Sequence, residues 1–444
     1  MKLFDVKSKL TTFQIIIVCF AIVILIGTIL LMLPVSARSG EPTSVDCALF
    51  TATSAVCVTG LIVRDTASYW SPFGQAVILI LIQTGGIGVI TIAAFIETMS
   101  GKKLSLLERN LVENSISAFQ TGGMARMTHF IFRFVLVVEV VGAVVLMPVF
   151  CRDFGLSGIW MAVFHSISAF CNAGFDLMGT HSGAFSSLTA YSRNVAVILP
   201  ISLLIVFGGI GFLTWHDIVT LRKNVRRYMM QSKVILVTTA VLIAIPAIMY
   251  FLCEFTDSSL PERISLSLFQ AVTPRTAGFN TADLTKMTGA GIGLMILLMI
   301  VGGSPGSTAG GMKTTTLTVL VASAVSVFRR KKDTQLFGKR VEDSVIKNAS
   351  ALLLIYLFLT LACGMLISLV EGLPMKACLF ETASAVGTVG LTLGITPSLG
   401  LFSHTILILL MFLGRVGGLT LMYAAISDRK AEVSRRPVEK INVG

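Results

Sequence analysis

FTATSAVCVTG, residues 50 to 60, is a run of small, apolar and hydroxyl-bearing side chains that ends on a glycine. It recurs three times. FHSISAFCNAG ends at Gly174, LFQAVTPRTAG at Gly278 and FETASAVGTVG at Gly390, all eleven residues long with Ser-Ala or Val-Thr in the fifth and sixth places. A second glycine-bearing segment follows each: GGIG at 85, GGIG at 208, GGSPG at 302 and GRVGG at 414, lying 25, 34, 24 and 24 residues beyond the first glycine. Repetition of this kind implies four copies of one supersecondary unit in a single chain.

The copies are set in a very apolar sequence. Of 444 residues 54% are hydrophobic and 13% charged, with a mean hydropathy of +0.86; a soluble domain cannot cover that much apolar surface with so few charges. Apolar stretches of spanning length fall near 13–35, 74–98, 128–150, 194–219, 233–253, 291–328, 349–370 and 401–426. The first, Phe13 to Leu33, exceeds the about 7 to 15 residues of a signal-peptide core and is expected to be a retained helix. The predicted fold is an all-α integral membrane protein with eight transmembrane helices. They form four pseudo-symmetric helix–pore loop–helix units around one central pore, over residues 1–100, 101–221, 222–332 and 333–444.

The formal charge of +12 could suggest nucleic acid, but the basic residues are concentrated in alternate connections. Lys102, Lys103, Arg109 and Arg126 lie in the first, Arg222, Lys223, Arg226, Arg227 and Lys233 in the second, and RRKK at 329–332 with Lys339, Arg340 and Lys347 in the third; both termini are basic too. By the positive-inside rule these segments are cytoplasmic, and an even number of crossings agrees. The charge reports orientation, not a nucleic-acid partner. Eight cysteines without a CxxC pair indicate neither a metal site nor a disulfide framework.

Irregular backbone at membrane depth has no hydrogen-bond partners in lipid unless it is buried or lines water. Four such segments meeting on one axis satisfy that condition. Each run before its glycine is long enough for about two helical turns, and its carboxyl end carries the negative pole of the backbone dipole. The glycine then permits a turn that aims carbonyls inward, where a ring of oxygens can replace the hydration shell of a monovalent cation. The pattern points to a cation pathway.

GGSPGSTAGGMKTTT, residues 302 to 316, breaks an otherwise apolar span. A phosphate-binding loop needs Gly-x4-Gly-Lys-Ser/Thr after a soluble strand, whereas Met312 moves Lys313 out of register and the preceding residues are a hydrophobic run. Five glycines and Pro305 instead suit irregular, movable backbone. Arg415 falls near mid-span, where an unpaired arginine costs at least about 2.5–3.5 kcal/mol, so it is expected to face the aqueous pore beside that loop.

CNAGF at 171–175, TPRTAGFNT at 273–281, GGSPGSTAGGMKT at 302–314 and GRVGG at 414 closely resemble the potassium transporters of the Trk/Ktr/HKT superfamily, over nearly the whole chain. With eight spans, no additional amino-terminal pair and no long cytoplasmic insertion, it looks most like the bacterial KtrB type of membrane subunit. The resemblance implies a potassium-translocating subunit of the bacterial cell membrane, with both termini cytoplasmic. Its filter would be made by backbone carbonyls around Val58, Thr59 and Gly60; Asn172, Ala173 and Gly174; Thr276, Ala277 and Gly278; and Thr388, Val389 and Gly390. A serine at the first glycine goes with sodium selectivity in plant relatives, so Gly60 favours potassium. The intramembrane loop 302–313, with Gly302, Gly303, Gly306, Gly310, Gly311 and Lys313, would form a gate together with Arg415. The resemblance also implies a homodimer that docks a cytosolic nucleotide-binding ring of the RCK/KTN type through 329–347 and the tail after Ser427, in contact with membrane lipid. Potassium is the transported ion and sodium a candidate activator; no cofactor is expected in this chain, and it is not expected to be an enzyme.

Other polar residues have plainer expected roles. Glu139 is an interhelical hydrogen-bond partner, or the proton carrier of an alternative secondary transporter; that class usually has inverted repeats, whereas these four units share one orientation. A potassium-binding subunit of an ATP-driven pump is a further alternative, with no nucleotide motif in this chain. Arg275 is expected to brace the filter, Lys313 to cap the loop where the helix resumes, and His165 to make a buried polar contact. Glu97 and Asp217 are expected to be solvated near cytoplasmic helix ends.

Overall fold

The computed structural model describes residues 11–99, 110–113, 124–418 and 420. The amino terminus, most of the first basic connection and the tail, all expected to be cytoplasmic, lie outside the described residues. Four times the chain runs through the same elements. A long apolar helix (Thr12–Met32, Met124–Phe154, Met230–Cys253 and Asp343–Glu371) leads into a short one (Val45–Val56, Ser157–Phe170, Leu260–Val272 and Met375–Gly387). A glycine turn and a second helix, starting at Pro72, Val195, Gly289 or Leu401, complete each repeat.

The first long helix is opened by a capping box, in which the Gln14 amide nitrogen donates to Thr11 Oγ1 at 3.3 Å and the Thr11 amide to Gln14 Oε1 at 2.9 Å. Among the described residues, the long helices are the ones that are continuous, long and apolar enough to cross a membrane. Their outward faces expose Leu25, Ile29, Leu136, Val144, Leu354 and Phe358, an apolar surface that suits lipid and not water. The short helices are buried, and Phe50, Phe164 and Phe380 near their middles and Phe269 in the last turn of its helix are fully enclosed.

Each second helix packs on the short helix of the next repeat. Pro72–Ile87 contacts Ser157–Phe170, Val195–Ile210 contacts Leu260–Val272, Gly289–Ile300 contacts Met375–Gly387, and Leu401–Val416 returns to Val45–Val56. The chain is therefore closed into a four-membered ring in sequence order.

Two expectations are corrected here. The spans near 74–98 and 194–219 are not straight: Pro72–Ile87 and Val89–Met99 meet at 89°, and Val195–Ile210 and Phe212–Leu221 at 96°. The cause is a glycine at φ +96° in each, Gly88 and Gly211, a conformation that a helix cannot contain and that L side chains rarely adopt. Gly417 at φ +94° ends Leu401–Val416 in the same way. Only the third repeat replaces this single glycine by a loop, between Ile300 and Thr314. The structure is also mostly helical rather than all-α. A two-residue hairpin pairs Gln335 with Arg340 and Leu336 with Lys339, turning through Phe337 and Gly338 at φ +48° and +75°, the two positive values that a tight hairpin turn requires.

Candidate ion pathway

The four short helices aim their carboxyl ends at one place. After each helix the backbone enters the left-handed region at the same position, two residues before the glycine: Val58 at φ +55°, Asn172 at +60°, Thr276 at +72° and Thr388 at +52°. Three of the four are β-branched, for which this conformation is an outlier that costs about 1–3 kcal/mol and persists only where surrounding structure imposes it.

The glycines themselves form the ring. A Cβ added to Gly174 would lie 2.6 Å from the carbonyl oxygen of Ala277, and one on Gly278 2.5 Å from that of Val389. A Cβ on Gly390 would strike the carbonyl of Thr59, and one on Gly60 that of Ala173. Each glycine thus faces the carbonyl that precedes its neighbour's glycine, around the full circle. A side chain at any of the four would occupy space held by a carbonyl oxygen. Carbonyl groups and helix carboxyl ends together concentrate partial negative charge at one point, a field that favours a cation.

Side-chain hydroxyls fix the turns. The amide nitrogens of Gly60 and Gly390 donate to Ser54 Oγ and Ser384 Oγ, both at 3.0 Å, while Ser168 Oγ donates to the Phe175 carbonyl at 2.7 Å. In the third repeat the equivalent bond runs from Thr273 Oγ1 to the Phe279 carbonyl, at 2.5 Å. This corrects the alignment by glycine, which puts Val272 opposite the serines. The conserved spacing within the chain is a buried phenylalanine followed four residues later by a hydroxyl, and the third repeat is one residue shorter between hydroxyl and glycine. Asn172 crosses to the next repeat: its amide oxygen accepts from Thr276 Oγ1 at 3.3 Å and its nitrogen donates to the carbonyls of Ala169 and Ile205 at 3.0 and 3.1 Å.

The loop of the third repeat lies against the ring. Gly310 and Gly311 pack on Thr388 and Gly387 of the fourth repeat, and Thr308 Oγ1 donates to the Phe170 carbonyl of the second at 3.0 Å. A parallel bridge between Val301 and Met312 closes the loop's neck, with the Gly302 amide donating to Met312 at 2.8 Å. Gly303, whose added Cβ would meet Ala309, and Gly306 at φ +64° allow the tight course between.

The loop also supplies what the broken helices lack. An unbroken helix would pair the Phe212 amide with the Gly208 carbonyl. Instead the Thr308 amide donates to Gly208 at 3.2 Å, the Ser304 amide to Gly209 at 3.0 Å, and Phe212 donates to the Gly306 carbonyl at 2.8 Å. In the fourth repeat the Gly311 amide donates to the Gly414 carbonyl at 3.2 Å. In the first repeat the donor is Arg415, whose Nη2 bonds the carbonyls of Gly85 and Gly86, the latter at 3.1 Å, while Nη1 bonds the Thr308 carbonyl. One guanidinium therefore ties the loop to the break opposite. Lys313 Nζ donates to the Ala309 carbonyl at 2.9 Å, bonding the loop and not the helix that starts at Thr314. A cavity of about 250 Å³ borders Gly88, Gly306, Lys313, Tyr356, Arg415 and Gly417.

The remaining residues singled out by the sequence fall around this assembly. Glu139 accepts from Gln83 Nε2 at 3.0 Å, and Cys171 Sγ lies 3.9 Å from its carboxylate. Arg275 is buried, and its Nη2 donates to Thr239 Oγ1 at 3.3 Å. His165 bonds the Met161 carbonyl through Nδ1 and accepts the Leu177 amide at Nε2, so it is protonated on Nδ1 and steadies the chain beyond Gly174. Glu97 is half-buried. Asp217 is not solvated: it is buried and accepts from the Met229 amide at 3.0 Å and Ser232 Oγ at 2.7 Å, serving the open amino terminus of Met230–Cys253.

A helical chain of this architecture, with lipid-suited flanks and a carbonyl ring at its centre, defines the class of multi-pass membrane transport proteins. The chain matches the TrkH family, described as cation transport protein, over residues 6–433, and it belongs to that family. It is 39% identical to the potassium/sodium uptake protein NtpJ of Enterococcus hirae, covering 99% of this chain and 98% of that one. It is 36% identical to the Ktr system potassium uptake protein B of Bacillus subtilis, over 96% and 95% of the two chains. The crystal structure of the potassium transporter TrkH from Vibrio parahaemolyticus shares the fold, with a TM-score of 0.74 over 95% of this chain and 86% of that one at 18% identity.

Proposed function

We propose that this chain is the potassium-translocating membrane subunit of a Ktr/Trk-type uptake system, with the four glycine turns as its selectivity filter. The observation that carries the proposal is the closed circle in which every glycine lies against a carbonyl of the next repeat. Potassium as the ion rests on the names of the relatives; sodium enters through one of them, named for potassium and sodium uptake. The repeats are bounded at 1–100, 101–221, 222–332 and 333–444 and cross the bacterial plasma membrane eight times, four times as unbroken helices and four times as interrupted ones, with both termini in the cytoplasm.

The loop 302–313 and Arg415 form the gate beneath the filter. A fixed cation in a cation pathway raises the barrier to passage, and the glycines allow the loop to change course. The chain acts as a homodimer with a cytosolic nucleotide-binding ring of the RCK/KTN type, a reading supported by relatives named as components B and D of a Ktr system. Purified protein in liposomes tests the proposal: potassium flux should exceed that of empty vesicles and exceed sodium flux. Equal fluxes of both ions, or none, would overturn it.

A further inference from the structure

The bend at Gly88 opens a cleft of about 810 Å³ between Val89–Met99 and the start of the long helix Met124–Phe154. Its walls are mostly apolar, with Ile87 and Ile92 on one side and Val135 and Leu136 on the other, and Leu136 is 64% exposed; Gln83 and Glu139 also line it, with the Gln83 amide donating to the Glu139 carboxylate. Phe95 stacks on Phe132 with ring centroids 3.7 Å apart and meets His129 edge-on at 5.5 Å, fixing the two sides against each other. Arg126, His129 and Arg133 stand three and four residues apart along one face of the helix, all exposed and all bordering the cleft. Neither guanidinium makes a hydrogen bond or ion pair among the described residues.

Two exposed guanidiniums without a partner among the described residues, near the start of an apolar helix, offer an anion two positive charges, and an apolar cleft in a membrane protein needs hydrocarbon. A soluble anion would satisfy only the arginines, and a neutral lipid only the walls. We propose that this cleft binds an anionic phospholipid of the leaflet on the basic side, its phosphate held by Arg126 and Arg133 and an acyl chain lying against Ile92 and Leu136. Arginine suits the role because its planar donors match phosphate oxygens two at a time. Ile87 borders both this cleft and the cavity beside Arg415. A bound lipid therefore braces the bend whose carbonyls, at Gly85 and Gly86, hold that arginine.

Native mass spectrometry of the purified full chain tests the site directly, with phosphatidylglycerol and phosphatidylcholine as probes. Phosphatidylglycerol should be retained with about tenfold preference, and Arg126→Gln with Arg133→Gln should abolish the preference. Leu136→Trp, which fills the cleft and leaves both charges, should reduce retention of phosphatidylglycerol without creating a preference for phosphatidylcholine. Equal retention of the two lipids by the wild type, or an unchanged preference in the double variant, would overturn the proposal. So would displacement of phosphatidylglycerol by a soluble acidic peptide, which would make the arginines a protein-docking patch. In liposomes, phosphatidylglycerol should raise or lower wild-type potassium flux and leave the double variant unmoved. That arm alone rests on the proposed transport role, so loss of flux in every lipid with binding intact would count against the function and not against the site.

Discussion

The third repeat and the other three are assembled from the same elements and differ in two places. In the first, second and fourth, the ring glycine stands ten positions after the buried phenylalanine, as in Phe50 to Gly60; in the third, Phe269 to Gly278, it stands nine positions after. The second helices of the three are interrupted by one glycine, at Gly88, Gly211 or Gly417, whereas the third is interrupted by a whole loop between Ile300 and Thr314. A one-residue interruption leaves helix carbonyls without donors, and lipid offers none. The loop's extra length brings Ser304, Thr308 and Gly311 amides to those carbonyls in the second and fourth repeats, and Arg415 does the same in the first. Four identical repeats could not satisfy one another in this way. The odd repeat completes the second and fourth, while Arg415 of the fourth completes the first and ties it to the same loop through the Thr308 carbonyl.

The largest effect is expected where all four repeats agree. Gly174→Ala places a methyl against the Ala277 carbonyl in a backbone at φ +70°. Adopting that backbone alone costs an L residue about 1–2 kcal/mol, so potassium flux in liposomes should fall at least about tenfold. Gly40→Ala, at φ +72° with nothing within 4 Å, is the matched control and should transport normally. Gly60→Ser should raise the share of sodium. If Gly278→Ala transports as the wild type does while Gly174→Ala fails, the circle does not pass through the third repeat.

The next effect separates the loop from the frame that it fills. Arg415→Ala removes charge-assisted bonds worth about 1.5–3 kcal/mol each and should raise basal potassium flux about tenfold at matched protein incorporation. Thr308→Val removes one neutral bond, to Phe170, worth about 0.5–1.5 kcal/mol, and should raise flux about threefold. Arg415 and Thr308 share a contact, so the double variant should gain less than the two activation free energies together. Full additivity would mean that they hold different barriers; unchanged or lower flux in both singles would remove the gate from this loop.

The contrast between repeats also decides what the sequence can disclose. The ring glycines stand out because a left-handed turn against a neighbour's carbonyl admits almost no other residue. The bends at Gly88 and Gly211 do not, since GGIG inside an apolar run looks like close helix packing and leaves hydropathy unchanged. The acceptors of Arg415 are backbone carbonyls, which have no side-chain signature, so its partners in the first repeat are invisible until the fold is known. Asp217 pairs with groups twelve and fifteen residues on, across a basic turn that looks solvated. The shorter spacing in the third repeat was legible in principle: aligning on the phenylalanine and the hydroxyl, and not on the glycine, reveals it.

The smallest effect concerns the residue behind each turn. In the second repeat Cys171 lies beside Glu139 of the long helix, and in the third Arg275 occupies the same place and reaches Thr239 of its own long helix. Both are contacts from the third residue before the glycine to the middle of the preceding long helix, with the charged partner exchanged between turn and helix. If Glu139 acts as that kind of brace, Glu139→Gln keeps an acceptor oxygen for Gln83 and Cys171 and loses at most part of one hydrogen bond, about 0.5–1.5 kcal/mol. Flux should then change by less than about threefold, and neither the wild type nor the variant should respond to a pH gradient imposed across the liposome at fixed membrane potential. Thr239→Val, which removes the acceptor for Arg275, should have the larger effect of the two because it leaves a buried charge without its partner. A wild-type flux that follows the pH gradient and is uncoupled from it by Glu139→Gln would instead make this carboxyl group a proton carrier, and the likeness between the two braces would be only geometric.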